Sequence, residues 1–421
     1  MSLTEGIAAR RSAARPARSL ADAALESDLE IECVDSFGAA LELKDVWCAL
    51  EERAASPFTY FQSFDWCTTW WRVFATGMRP AAAPELQIYT GRRDGRLVML
   101  WPLMAVSGPF GLRLLTPIGG DLCQYGGILA DPDHVSACDI LAFWSRIGDR
   151  PDIDLMALEC VPSSSRLAAS LAGHVKAVPC GQTSIIDISR SAARPGGSGG
   201  AGPAMPRSLK RRMKKLAGGE ALNLVSVPGG TDAYGDMARL ALAWKADWLR
   251  HTGRFSKPLS EPLTAEFLAG LSDGALALVL QRGDTPVALE IGFVRGRHFY
   301  SYLGAFDWSL RRFSPGRIQI ERTLAWLAGE GIEYYDLLGN ASSFKQEVAT
   351  TTVPLESFYC PATLLGLAYA QLWMRRARPL IKRSFYALPL HQRQRLLHLL
   401  QGAGPTRASP AQMWSDTAGT Q

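Results

Sequence analysis

The segment Arg311-Arg312-Phe313-Ser314-Pro315-Gly316-Arg317 gathers the residue types a polypeptide uses to hold a phosphate. Ser314 is suited to cap a helix, Pro315 to its first position, where a missing N–H leaves nothing unpaired, and Gly316 permits close approach. A helix that opens this way presents free N–H groups and the positive end of its dipole to an anion. Arg311, Arg312 and Arg317 add charge of matching sign. The same letters also describe an ordinary capped helix with arginines in solvent. The surroundings favour a site: downstream lie Tyr335-Asp336-Leu337-Leu338-Gly339-Asn340 and Ser343-Phe344-Lys345. A phosphate-binding helix start beside a strand end that carries an Asp and a Lys makes a catalytic cleft. Glu290 interrupts the apolar run Val287-Ala288-Leu289-Glu290-Ile291, and a buried carboxylate is costly unless used, which makes it a candidate base. Its alternative is a solvent-facing place on an edge strand.

The elements that must position these groups are legible in the periodicity. After a Gly/Pro/Ser-rich stretch at 191–206, residues 207–216 read as a basic helix with the narrow apolar stripe Leu209, Met213 and Leu216. Segments 222–227, 275–280, 287–294 and 298–303 read as strands, with turns at Gly283-Asp284 and Arg295-Gly296. A helix over 315–328 then leads to a strand over 332–337. The order strand, hairpin, helix, strand predicts a mixed sheet with a helix crossing it. The earlier part shows a similar order: Asp94-Gly95 joins strands at 86–90 and 97–106 into a hairpin. Helices are expected at 65–74 and 134–147, and strands at 153–159 and 184–188. Its only comparable helix start, Asp131-Pro132-Asp133, would repel phosphate. The first half is therefore expected to be structural or acceptor-binding. Within 191–206, two glycine patterns match a hydrolase elbow and a dinucleotide loop, but neither follows an apolar strand nor opens an apolar helix, as those mechanisms require.

At 421 residues the chain exceeds what one core usually organises, so two domains are expected. Its 47% apolar and 20% charged residues describe an ordinary globular protein, and the order of strands and helices an α/β one with a mixed sheet. The expected division is a basic N-terminal tail (1–28), a first domain (29–190), a linker (191–206), a second domain (207–360) and a basic helical tail (361–421). The N-terminal arginines suit a disordered tail or a transit peptide. Eight cysteines without a CxxC pair, and histidines without an HExxH group, argue against a metal site and for reduced thiols in the cytoplasm.

Taken together, Ser314-Pro315-Gly316, Tyr335-Asp336-Leu337-x-Gly339 and Phe344-Lys345 resemble the GNAT-fold acyltransferases of the CelD/BcsL (BioF2-like) group. Phe61-Gln62-Ser63-x-x-Trp66 with Trp70-Trp71 resembles that group's N-terminal signature. The resemblance spans roughly 58–359 and implies two tandem GNAT-like domains, the second carrying the donor site, related to the FemAB peptidyltransferases. The GNAT phosphate loop, Arg/Gln-x-x-Gly-x-Gly/Ala, has its counterpart in Arg311-x-x-Ser314-x-Gly316, with the middle glycine replaced. The chemistry implied by this resemblance is attack by an amine on an acyl thioester, with acyl-CoA (acetyl-CoA) as co-substrate and no metal. Lys345 would stabilise the developing carbonyl charge, and Asp336 would orient Lys345 or the acceptor amine; the alternatives are a solvated loop lysine and a strand-end cap. The acceptor would be a small-molecule or glycan-linked amine in envelope or exopolysaccharide metabolism.

Two alternatives stand beside it. The basic helix Lys210-Arg211-Arg212-Lys214-Lys215 could grip a tRNA in an aminoacyl-tRNA-dependent transferase, or be a solvated face. The chain could also be a non-catalytic GNAT scaffold of a synthase complex. The tail adds a separate signal. Between Ser357 and Ser415 there is no Asp or Glu, but there are eight Arg and Lys, more than the net charge of +5 for the whole chain. Residues 361–373 are too short to span a bilayer at about 20 residues per crossing. They suit either an interfacial segment on anionic lipid or a core helix packed on the second domain.

Overall fold

The computed structural model describes residues 27–54, 56–76, 83–148, 150–189, 205–339 and 343–402. Most of the expected N-terminal tail, the linker over 191–204, Asn340 and the chain from 403 onward lie outside these residues. The last two residues of that tail are anchored: Ser27 donates to Asp139 at 2.8 Å and Asp28 pairs with Arg93.

Thirteen strands form one mixed sheet. The first half of the chain supplies β1 (Glu30–Val34), β2 (Glu85–Arg93), β3 (Arg96–Ser107), β4 (Arg113–Pro117), β5 (Leu129–Ala130), β6 (Leu155–Pro162) and β7 (Val178–Asp187). The second supplies β8 (Leu222–Pro228), β9 (Ala275–Arg282), β10 (Thr285–Arg295), β11 (His298–Phe306), β12 (Tyr334–Gly339) and β13 (Thr351–Pro361). The hairpin between β2 and β3 turns on Asp94 and Gly95, both at positive φ (51° and 73°), which the twist of a tight hairpin requires. The strand order is β1-β2-β3-β4-β6-β13-β7-β12-β11-β10-β9-β8, with β5 beside β3. Two strands therefore cross the division made in sequence. β13 lies between β6 and β7, and β7 lies between β13 and β12.

Packing joins the halves as well. The Phe61-Gln62-Ser63-x-x-Trp66 segment leads into helix α1 (Phe64–Trp70), capped by Ser63, whose Oγ accepts from the Trp66 N–H. Trp66 sits edge-on to Phe267, Phe293 and Tyr302 of the second half, and Tyr60 stacks on Phe293 at 4.4 Å. The Asp65 carboxylate receives the N–H groups of Ser272 and Asp273. This aromatic signature is buried and holds one half to the other.

The first-half helix expected from 134 begins later, at Ala137 (α2, Ala137–Gly148). Ser136 and Asp139 cap it reciprocally, the Ser136 N–H donating to Asp139 and the Asp139 N–H to Ser136. Asp131, expected at the helix start, is instead buried in an ion pair with Arg53 at 2.8 Å.

In the second half, α3 (Arg207–Ala217), α4 (Asp232–Thr252), α5 (Pro315–Gly329) and the short α6 (Ser343–Val348) surround the sheet. The tail is helical: α7 (Leu364–Ala368), a π-helical stretch Tyr369–Ala377, α8 (Arg378–Ala387) and α9 (Leu390–Gly402). Its first turns pack where the two expected domains meet, with Ala370 buried among Leu155 and Ala157 of β6 and Tyr359 of β13. Just before β6, Gly366 lies so close to Asp154 that a Cβ would fall 1.9 Å from its carbonyl oxygen. Arg378 pairs with Glu159 at 2.8 Å. Among the described residues no helix is long and apolar enough to cross a membrane.

Candidate active site

β11 and β12 run parallel and pair only through His298–Tyr300 and Tyr334–Asp336. Beyond that point β11 continues to Phe306, while β12 ends at Gly339 against Thr183 of β7. The two parallel strands thus part, leaving a wedge with Gly304 on one lip and Leu337 to Gly339 on the other.

Asp336 sits buried at the apex. Tyr125 and Thr183 of the first half donate to its two oxygens at 2.7 and 2.8 Å, and His298 Nε2 lies 3.3 Å away. The carboxylate also accepts the N–H of Leu338 at 2.8 Å. Leu338 is in the left-handed region (φ 59°), an uncommon place for a side-chain-bearing residue, so this bond holds an irregularity that interrupts the pairing of β12 with β7. The irregularity matters because the Leu337 and Gly339 carbonyls both accept from Lys345 Nζ, at 2.7 and 3.2 Å. Lys345 is therefore not a solvated loop lysine: it projects from α6 into the wedge. Burial pushes its pKa down to about 8, against the pull of the Asp336 and Glu290 carboxylates. Asp336 is linked to Lys345 through the backbone, its bond to the Leu338 N–H holding the segment whose two carbonyls accept from Lys345 Nζ.

Glu290 is not on an edge. β10 lies between β9 and β11, and the carboxylate is buried under hydroxyls of Ser301, Thr323 (2.9 Å) and Tyr335 (2.7 Å). Burial raises its pKa, with the three hydroxyls working against that. A carboxylate so saturated is poorly placed to receive a substrate proton.

At the donor end, a 3₁₀ turn (Trp308–Phe313) precedes α5. Ser314 does not cap the helix with its side chain; it takes a left-handed conformation (φ 57°, ψ 54°) that glycine adopts without penalty. Its hydroxyl instead accepts from Arg212 of α3. The first intrahelical bond is Ile318 N–H to the Ser314 carbonyl, so the N–H groups of Gly316 and Arg317 have no acceptor within the helix. Pro315 and Gly316 are buried, while Arg311, Arg312 and Arg317 are exposed. Arg311 and Arg312 lie over the rings of Trp308 and Phe313, and Arg317 lies 3.9 Å from Glu347 of α6. Helix α3 buries Leu209 and Leu216 against Val287, Ala288 and Ile318, which brings its exposed basic face beside this loop. A buried glycine at a helix start, with arginines around it, fits a phosphate. The loop and the wedge sit on adjoining elements.

One group at the wedge was missed in the sequence. Lys245 of α4 is buried, with Nζ 3.5 Å from the Gly304 carbonyl on the β11 lip and 4.6 Å from the centre of the Trp248 ring. The signal was present: Lys245 falls on the same helical face as Tyr234, Ala238, Ala241, Leu242 and Leu249, where an apolar residue belongs. Among the described residues no group of His, Cys, Asp and Glu could hold a metal ion.

Residues 205–346 match the acetyltransferase (GNAT) domain family. No curated protein matches the chain in sequence. Among solved structures, FemX is similar at a TM-score of 0.52 and 11% identity, covering 77% of this chain and 98% of FemX. A domain from Agrobacterium fabrum described as the C-terminal domain (DUF2156) of a putative lysylphosphatidylglycerol synthetase aligns at a TM-score of 0.49 and 12% identity, over 79% of this chain and 95% of its own. A tandem GNAT protein from clavulanic acid biosynthesis aligns at 0.39 and 14%, over 80% and 99%. The fold is a mixed α/β sheet, and the part of it over residues 205–346 carries the GNAT acetyltransferase match.

Replacing Asp336 by Ala leaves the Tyr125 hydroxyl its bond to Thr183 at 2.7 Å but strands the Thr183 hydroxyl proton and the Leu338 N–H, each worth about 1–3 kcal/mol when left unpaired. Urea unfolding of Asp336→Ala should show a loss of about 2 kcal/mol or more. A loss below about 1 kcal/mol would show that this network contributes little to stability.

Proposed function

We propose that the chain is an N-acyltransferase that moves an acyl group, acetyl in the simplest case, from acyl-CoA to an amine. The observation that carries this is the junction of the phosphate-ready start of α5 with the lysine-lined wedge between β11 and β12. The donor's phosphates would lie at the start of α5 beside Gly316, with Arg311, Arg312 and Arg317 around them. The thioester would enter the wedge, where the Lys345 ammonium neutralises oxygen as the amine adds to the carbonyl. The resemblance to the CelD/BcsL group supports a glycan-linked or small amine acceptor in envelope or exopolysaccharide metabolism. The basic face of α3 beside the donor loop keeps an aminoacyl-tRNA donor as the second reading, since the same cations would meet its phosphates. Coenzyme A protection against heat with no salt-sensitive tRNA binding supports the first reading; the reverse supports the second. Neither would leave a scaffold without chemistry.

For location, we infer peripheral contact with an anionic membrane surface through the tail. Leu364, Leu372 and Leu380 are 85, 58 and 59% exposed, and Arg376 and Arg383 are exposed along the same helices. Gly366, Ala370 and Phe385 are buried on the other side. Leucines between cations suit the headgroup region. Full-length protein should pellet with anionic but not neutral vesicles at low salt, and a chain ending at Arg378 should pellet less; equal, negligible pelleting with both lipids would remove the inference.

Gly316→Glu places bulk and negative charge where phosphate would lie, and calorimetry should show coenzyme A binding abolished in a chain that still unfolds cooperatively. Unchanged affinity would remove the donor assignment.

Lys345→Ala should lower turnover by about 10²–10³-fold, read as thiol release from acetyl-CoA over a panel of amines, with coenzyme A affinity little changed. A variant that keeps most of its activity would confine Lys345 to holding the β12 backbone.

A further inference from the structure

We propose that Lys245 is the general base that takes the proton from the acceptor ammonium, with Lys345 as the cation facing it across the wedge. The proposal rests on the acyl-transfer reading and assigns roles within it.

The two amines are set on opposite lips. Lys245 Nζ meets the β11 carbonyl of Gly304, and Lys345 Nζ meets the β12 carbonyls of Leu337 and Gly339. These are the strand segments that have parted, so a substrate carbonyl lying between them meets both side chains. Their surroundings differ in sign. Lys345 has two carboxylates near it, Asp336 at the apex and Glu290 below. The charges acting on Lys245 are Lys345 from α6 and Arg254 from the segment after α4, both positive. The β11 side offers it only a long contact with the Gly304 carbonyl, and its own helix offers the Trp248 face. Burial first, then these two cations, push Lys245 down to about 7, below the value of about 8 for Lys345. Two groups of one chemistry, driven apart by their settings, divide into base and electrophile. Neither carboxylate competes for the role, since Glu290 is saturated by three hydroxyls and Asp336 by Tyr125, Thr183 and the Leu338 N–H.

The step balances without a further reactant. Neutral Lys245 takes one proton from R–NH₃⁺, and the freed amine forms the C–N bond. The carbonyl oxygen carries negative charge opposite Lys345 until the C–S bond breaks. The departing sulfur takes the second proton from nitrogen to give the thiol, and Lys245 returns its proton to solvent. The products are an amide, coenzyme A and one proton.

The first test needs no acceptor. In full-length protein labelled with [ε-¹³C]lysine, the signal lost in Lys245→Met should titrate near 7 rather than at the ordinary lysine value of about 10.4. Its midpoint should rise in Lys345→Gln, where one of the two repelling cations is gone. Unfolding gives the same information by linkage. A lysine whose folded pKa is depressed lowers stability wherever the unfolded chain binds the extra proton. Lys245→Met should therefore match wild type above about pH 10.4, gain on it as pH falls toward 7, and hold a constant advantage below. An ordinary titration of Lys245 overturns the proposal.

The second test uses acetyl-CoA and a panel of amino sugars and amino acids. Lys245→Ala should lower thiol release by about 10²–10⁴-fold, remove the acid limb of the pH profile near 7, and regain activity at high pH, with coenzyme A affinity unchanged. Lys245→Arg keeps the charge and loses the titration, and should fall as far as Ala. Wild-type turnover retained by the Arg variant would leave acyl transfer standing and make Lys245 an anion holder instead. Coenzyme A binding without transfer to any amine would remove the transfer reading and the base assignment with it.

Discussion

A carboxylate buried where two halves of a sheet meet is the constraint on which the site depends. Asp336 would be expensive to bury alone, and its donors come from Tyr125 and Thr183, far earlier in the chain, and from the N–H of Leu338. Satisfying the charge therefore requires β7 to lie beside β12. It also requires the irregular backbone at Leu338 that turns two carbonyls toward Lys345. One electrostatic requirement thus links the assembly of the sheet to the placement of a reactive amine.

The exchange of β7 and β13 explains why the halves are one folding problem. Neither completes its sheet from a contiguous segment: β7 lies between β13 and β12, and β13 between β6 and β7. The aromatic cluster around Trp66, Phe293 and Tyr302 and the Arg295–Glu51 pair at 2.6 Å reinforce the same junction. The first half has no phosphate-ready helix of its own among the described residues. It supplies Tyr125 and Thr183, which hold the apex of the second half's wedge.

Positive charge is held at two depths, around the start of α5 and in the β11–β12 wedge. The outer cations Arg211, Arg212, Arg311, Arg312 and Arg317 are exposed and stay hydrated, where they can attract phosphate over several ångströms. The inner cations, Lys245 and Lys345, are desolvated, and burial lowers the pKa of both. The contrast separates hydrated from desolvated charge by depth alone.

The sequence by itself determined the local structure: the Asp94-Gly95 hairpin, the helix opening at Pro315, the strands over 275–303 and the nearness of Lys345 to Asp336 along the chain. Turn chemistry and apolar periodicity are set by neighbouring residues, so short windows suffice to read them. Ser314 shows where such reading stops. Its type suited a capping side chain, yet the fold gives it a left-handed backbone and a bond to Arg212, about a hundred residues away. Glu290 could be read as edge or core, and only its place between β9 and β11 decided. Lys245 and the exchanged strands belong wholly to the tertiary structure, because burial, register and the sign of the surrounding charge are created by residues distant in sequence that meet only when the sheet closes.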